Sequence, residues 1–414
     1  MKDIIKVQDI LLPKDLEYMK WSVVACDQYT SEPEYWEKLR EYVGDNRSCL
    51  YMIFPEAFLG KGDDDTRIKY INETMNNYID WDTFKVIKDS FVLVDRFVNG
   101  AHRLGLVLPI DLEAYDFNPE SNAAIRATEG TVVDRIPPRV KIRENAPIEI
   151  PHVMLLMDDK ECKIIEGLYA KRNELETLYD FDLNMDGGHI SGYKVTNTDE
   201  VKQQIYHLLD KEVQESKYGK DANVLFAVGD GNHSLATAKA CWDKIKVNLS
   251  EQERENHPAR YALVEVVNLH EPAIEFEPIN RVITGLNKRG VDVLKFVFSR
   301  NKGPKMEMVY NGKTLWVNGS KDPVETINKM QIYLDRLVAN GEAKVDYVHG
   351  RQNTLDVAAK NGGVALFMPR IEKDDLFKYI IENGVLPRKT FSMGEANSKR
   401  YYLEAKLIVP NEEL

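Results

Sequence analysis

Residues 225–239 read Leu-Phe-Ala-Val-Gly-Asp-Gly-Asn-His-Ser-Leu-Ala-Thr-Ala-Lys, and no other stretch constrains the chain so tightly. The apolar run Leu225 to Val228 has the pattern of a buried strand, stopped by Gly229, Asp230 and Gly231. Asn232, His233 and Ser234 then lead into a helix-like stretch from Leu235 to Trp242. Glycine permits close backbone approach and dihedrals that other residues avoid. Amides at a helix start have no partner within the helix, so this turn is an expected site for phosphate or another anion.

Around this segment, apolar runs and helical periods alternate, which predicts an α+β, mixed-sheet, multidomain protein. With 414 residues the chain exceeds one ordinary core, and three regions are expected: 1–120, 121–280 and 281–414. Asn99-Gly100 and Asn311-Gly312 each separate two strand-like runs and predict hairpins. Ser31-Glu-Pro-Glu34 predicts a capped helix start, Leu50 to Phe54 a strand, and Ser121 to Ala127 a helix that Pro137-Pro138 keeps from continuing. A helix is expected from Glu161 to Leu178, a strand at Tyr261 to Val267 and a short helix at Asn280 to Leu286. Tyr401 to Val409 is read as a closing strand.

The formal net charge of −12 disfavours nonspecific binding to nucleic acid or acidic membranes. No window is apolar enough to span a bilayer, and the opening residues lack a secretory pattern, so a cytoplasmic location is the default expectation. Cys26, Cys49, Cys162 and Cys241 are far apart and form no Cys-x-x-Cys pair, as buried reduced thiols would.

Asp230-Gly231-Asn232-His233-Ser234 resembles the Asp-Gly-His-His-Arg box of an uncharacterised family of bacterial and archaeal proteins. The second histidine is kept as His233, whereas Asn232 replaces the first and Ser234 replaces the arginine. The likeness extends to Arg126-Ala-Thr-Glu-Gly-Thr131 and to Leu386-Pro-Arg-Lys-Thr-Phe391. The box also has a short resemblance to the Gly-x-His-Arg phosphate loop of the ParB and sulfiredoxin group, which includes free-serine kinases. That second resemblance implies a nucleotide-binding core.

Asp230 and His233 are therefore the candidate catalytic residues, with Gly229, Gly231, Asn232 and Ser234 completing the ligand loop. Arg126, Glu129 and Arg139 are candidate ligand residues because arginine's planar fork suits phosphate, and a helix would set Glu129 beside Arg126. Arg135, Lys141 and Arg143 belong to the same basic stretch, for which surface salt bridges are the competing explanation. Arg388 and Lys389 are expected on a lid, against the alternative of solvent-facing charge. Asp27, Tyr29 and the Asp186-Gly-Gly-His189 turn are weaker candidates. His102, His152, His257 and His270 are too separated to mark a metal site, so the metal is left unknown.

The leading functional expectation is a nucleotide-dependent small-molecule phosphotransferase using ATP or ADP with magnesium. Asp230 would position or deprotonate an acceptor hydroxyl, His233 and the helix amides would contact phosphate, and Arg126 or Arg139 would neutralise developing charge. The alternative is a noncatalytic nucleotide or metabolite-binding protein. A structural interaction protein, with an apolar partner surface and no polar pocket at Asp230, is a third class.

Overall fold

Asn99 and Gly100 both take positive φ, 53° and 81°, and close the first expected hairpin. That geometry matches the twist of the flanking strands and fixes their register, Val98 opposite Ala101 and Val92 opposite Val107. The computed structural model describes residues 3–130 and 136–410. Thr131 and Arg135, named above, lie outside the described residues.

The hairpin belongs to a nine-stranded mixed sheet. Its strands in chain order are β1 (Phe91–Val98), β2 (Ala101–Asp111), β3 (Tyr115–Asp116), β4 (Ile125–Arg126) and β5 (Met154–Met157). They continue with β6 (Glu176–Asp182), β7 (His189–Val195), β8 (Phe226–Asp230) and β9 (Tyr261–Asn268). Across the sheet the order is β6-β7-β1-β2-β9-β5-β8-β4-β3. The pairs β9/β5, β8/β4 and β4/β3 are parallel and the others antiparallel. Every residue of β9 is buried, as a central strand covered on both faces requires.

The chain forms two compact units, one running to Ile274 and resuming at Ala396, the other spanning Glu275–Glu395. The expected boundary after residue 120 falls inside the first unit, because β3 and β4 on either side of it pair within one sheet. The second unit holds a five-stranded antiparallel sheet of β10 (Asn280–Thr284), β11 (Lys305–Tyr310), β12 (Lys313–Asn318), β13 (Lys344–Val348) and β14 (Val364–Leu366). Asn311 and Gly312 close its hairpin at φ 49° and 71°. The architecture is thus mixed-sheet and α+β, as expected.

Several local expectations give way to tertiary context. Asn280–Thr284 is strand β10, not helix, because its run of β-branched Val282, Ile283 and Thr284 packs between two neighbours. Leu50 to Phe54 is not a strand: the Ser48 side chain accepts from the Leu50 amide and winds Cys49–Met52 into a 3-10 turn. The helix Pro33–Val43 starts at its proline, so Glu32 occupies the cap position, and no side chain caps it. Glu161 to Leu178 divides into the helix Ile165–Ala170, a 3-10 turn and the start of β6. Ser121 to Ala127 is not helical, since Ile125–Arg126 is strand β4, and Pro137 and Pro138 fall in the first turn of a separate helix, Ile136–Arg143, where their missing N–H is not needed. The C-terminal run splits into the short strands Tyr401–Tyr402 and Lys406–Leu407.

Candidate functional site

Strand β8 ends in a bulge that determines where Asp230 points. Val228 pairs with Leu155 and Asp230 with Met154, which leaves Gly229 as the extra residue. A bulge re-aims the side chain that follows it. Asp230 Oδ2 lies 3.1 Å from Lys399 Nζ, and Oδ1 accepts the Gly231 amide at 3.0 Å. Gly231 then turns the chain at φ 80°, where an added Cβ would sit 3.1 Å from Val153 Cα. Both the dihedral and the close approach call for glycine.

The helix Asn232–Ile245 begins there without a capping side chain. Its first rung runs from the Leu235 amide to the Gly231 carbonyl, 3.0 Å, so the amides of Asn232, His233 and Ser234 precede the helical ladder. Asn232 Oδ1 accepts the Thr128 amide at 3.3 Å, while the Thr128 hydroxyl donates to the Val228 carbonyl at 2.6 Å. Thr128 therefore ties the strand end to the helix start, and the two expected site segments meet at this point. His233 is partly exposed at the second helical position, and its carbonyl accepts the Thr237 hydroxyl at 2.7 Å.

Sequence reasoning missed the basic groups behind the turn, which come from Asn397 to Arg400 and from β1 and β2. Lys399 is 7% exposed, and Arg103 is buried within electrostatic range of Asp230. Arg400 is buried between two carboxylates: it pairs with Glu265 and, at 2.6 Å, with Glu404. Its Nε donates to the Pro151 carbonyl at 3.0 Å, and the Tyr179 hydroxyl donates to Glu404. Arg96 donates to the carbonyls of Gly187 and Asn397. Arg103 Nε and Glu265 Oε1 face each other at 3.9 Å without a hydrogen bond, both buried. These cations come from residues hundreds of positions apart, and no local motif marks them.

Burial alone would raise the Glu265 pKa, but Arg400 and then Arg103 outweigh burial and leave it below the ordinary value. A carboxyl depressed in the folded state contributes stability that is fully present above about pH 4.5 and is lost as the pH falls through its lowered value. Acid unfolding of the first unit is therefore expected to depend on Glu265. Melting temperature measured against pH should fall less steeply on acidification in Glu265→Gln than in the wild type.

A second arrangement starts at Ser234, whose Oγ lies 3.0 Å from His152 Nε2. His152 Nδ1 is 2.6 Å from the Tyr402 hydroxyl, which also accepts the Cys26 amide at 3.1 Å. Asp27 Oδ2 stands 3.8 Å from the same His152 Nε2. Burial pushes up the pKa of both the Cys26 thiol and the Tyr402 phenol, so each is neutral. Ser234 and His152 open on a cavity of about 170 Å³, lined mainly by aliphatic side chains such as Ile53, Leu59, Ile142 and Ile150.

The remaining expected residues are dispersed. Arg126 is in strand β4, so the helical pairing with Glu129 does not form. Its guanidinium donates to the carbonyls of Ala123, 2.9 Å, and Ala222, 2.5 Å, towards the beginning of β8 and away from the turn. Arg139 lines the same cavity as Ser234 and pairs with Glu56. Arg143 pairs with Glu149 at 2.5 Å, and Lys141 approaches Asp65 at 3.8 Å. Arg388 and Lys389 belong to the second unit, where Arg388 pairs with Asp335 and the Lys389 carbonyl accepts from Arg281. Tyr29 stacks on Tyr35. His189 bonds Asp182 and Asp180, His102 bonds Asp95, and His270 bonds Asp158. The His257 ring lies against Trp242. Among the described residues no group of three His, Cys, Asp or Glu side chains is placed to hold a metal ion. No helix among them is long and apolar enough to cross a membrane.

The chain has a remote structural resemblance to a free serine kinase solved with AMP, at 11% identity and a TM-score of 0.40, over 74% of this chain and 93% of that one. SbnI from Staphylococcus aureus, truncated at its C-terminus, matches at 9% identity and a TM-score of 0.35, over 70% and 82%. A conserved hypothetical protein from Pyrococcus furiosus matches at 9% and 0.36, over 73% and 95%. No curated protein matches the sequence. Residues 8–356 match the family described as "Protein of unknown function (DUF1015)".

Proposed function

This chain belongs to the DUF1015 family, whose description assigns no activity, and from its own residues we propose that it binds a phosphate-bearing small molecule at the turn between β8 and the helix Asn232–Ile245. The observation that carries this reading is the uncapped helix start set beside Lys399 and Asp230. First-turn amides and the positive end of the helix dipole favour an anion, and the Lys399 ammonium adds a full charge to them. Thr128 and Asn232 hold the turn open and are structural in this reading.

A nucleotide with magnesium is the proposed ligand, the metal being carried by the phosphates. In the phosphotransferase form of the reading, Asp230 accepts the proton of an acceptor hydroxyl while His233 and Lys399 neutralise charge on the transferred group. Ser234 is left out of the phosphate contacts because its hydroxyl is turned to His152.

Calorimetry with ATP, ADP and AMP, with and without magnesium, tests the binding step. Saturable binding is expected in the wild type, weakened about 10- to 100-fold in Lys399→Ala by the loss of a charge-assisted contact. Asp230→Asn should bind nucleotide but fail to turn it over. Absence of saturable binding in the folded wild type across the panel overturns the reading.

A further inference from the structure

We infer that Ser234 and His152 form a nucleophile and general-base pair acting on esters of short aliphatic acids, with the acyl chain seated in the adjoining cavity. The inference is independent of the phosphate reading, since it uses a different side chain of the turn and an apolar, not anionic, ligand group.

The Tyr402 oxygen accepts the Cys26 amide at 3.1 Å and lies 2.6 Å from His152 Nδ1. The pair requires the imidazole tautomer with its proton on Nδ1, donated to the second lone pair of the Tyr402 oxygen. His152 Nε2 is then the acceptor and takes the Ser234 hydroxyl proton at 3.0 Å. This is the tautomer a base needs, and Tyr402 acts as a positioning residue for it. Asp27 Oδ2, 3.8 Å from Nε2, stabilises the imidazolium that forms.

The surroundings select the substrate class. The cavity of about 170 Å³ has a mostly apolar lining that includes Met52, Ile53, Leu59, Ile142, Ile150 and Leu263 and suits an aliphatic chain, while the two arginines in its wall, Arg139 and Arg143, are already paired with Glu56 and Glu149. Ser234 is partly exposed, so a substrate carbonyl can reach it. As Ser234 Oγ bonds to the carbonyl carbon, its proton passes to His152 Nε2, and the oxyanion forms at the positive end of the helix. The bond to the leaving alcohol breaks and the alcohol departs with that proton. Water then gives a proton to His152 and attacks the acyl carbon. The carboxylic acid leaves as Ser234 regains its hydrogen.

An alkyl fluorophosphonate, which phosphonylates an activated serine with loss of fluoride, reads this out on the full chain by intact mass and peptide mapping. One adduct on Ser234 is expected, absent from Ser234→Ala and formed about 100-fold more slowly in His152→Gln. Tyr402→Phe should move the pH at which labelling is half-maximal, which loss of packing alone does not do. Hydrolysis of p-nitrophenyl butyrate should follow the same order, with circular dichroism confirming that each variant is folded. A folded wild type that gives no Ser234 adduct overturns the inference, as does labelling unchanged in His152→Gln. Nucleotide binding measured on the same preparation separates this failure from failure of the phosphate site.

Discussion

Arg400→Ala is expected to cost ~3–5 kcal/mol of unfolding free energy, the range for removing one partner of a buried ion pair. The guanidinium is 2% exposed and lies between Glu265 and Glu404, each 1% exposed. Truncation would leave both carboxylates in a region from which water is excluded. Arg103 cannot replace the lost partner, because its Nε stands 3.9 Å from Glu265 and makes no hydrogen bond to it. Gly105 also confines Glu265, since a Cβ there would lie 2.3 Å from its Oε1. Urea unfolding followed by tryptophan fluorescence measures the loss, because Trp21, Trp36, Trp81 and Trp242 all belong to the first unit. A loss below about 1 kcal/mol would show that the two carboxylates find other partners or take up protons at little cost.

Gly231→Val should cost ~2–5 kcal/mol, from two additive sources. A β-branched residue at φ 80° adopts the left-handed region at about 1–2 kcal/mol, and overpacking against Val153 Cα and Cγ2, each 3.1 Å from the new Cβ, adds ~1–3 kcal/mol. The same change rotates the start of the helix, so nucleotide binding should weaken beyond what the stability loss explains. Thermal melting and calorimetry on one preparation separate the two effects. A variant with an unchanged melting temperature would mean that the backbone relaxes at no cost, contrary to the tight approach of Val153.

Both predictions concern the same corner of the first unit, yet they differ in how much of it the sequence announces. Gly231 is conspicuous: an apolar run, two glycines and a helical period identify a strand, a turn and a helix in succession. Asn99-Gly100 and Asn311-Gly312 are conspicuous for the same reason, because a two-residue turn with positive φ at both positions is a local property. Arg400 carries no such signal. Its partner Glu265 lies within a long apolar run, Tyr261 to Val267, where an isolated carboxylate gives no hint that a cation from the far end of the chain will neutralise it.

Two of the misread elements share one cause. Asn280 to Leu286 and Ser121 to Ala127 are short, and short segments take the conformation their neighbours supply. Strand β10 is held by ladders on both sides, and β4 by β3 and β8. Arg126 illustrates the consequence. Its type suggested a phosphate ligand, but once its segment is a strand the guanidinium satisfies two backbone carbonyls instead. His152 shows the reverse: nothing near it in sequence recommends it, and the approach of Ser234 and Tyr402 gives it both ring partners.

The strand–turn–helix at residues 225–242, the two asparagine–glycine hairpins and the α+β class are legible in the sequence, because they follow from side-chain periodicity and local dihedral preference. Only the tertiary structure decided which charges surround Asp230, which residue Ser234 faces and where Arg126 and Arg388 point. Those contacts join segments up to hundreds of residues apart, and the free energy that selects them comes from burial and charge pairing in the assembled core, to which no local stretch of sequence has access.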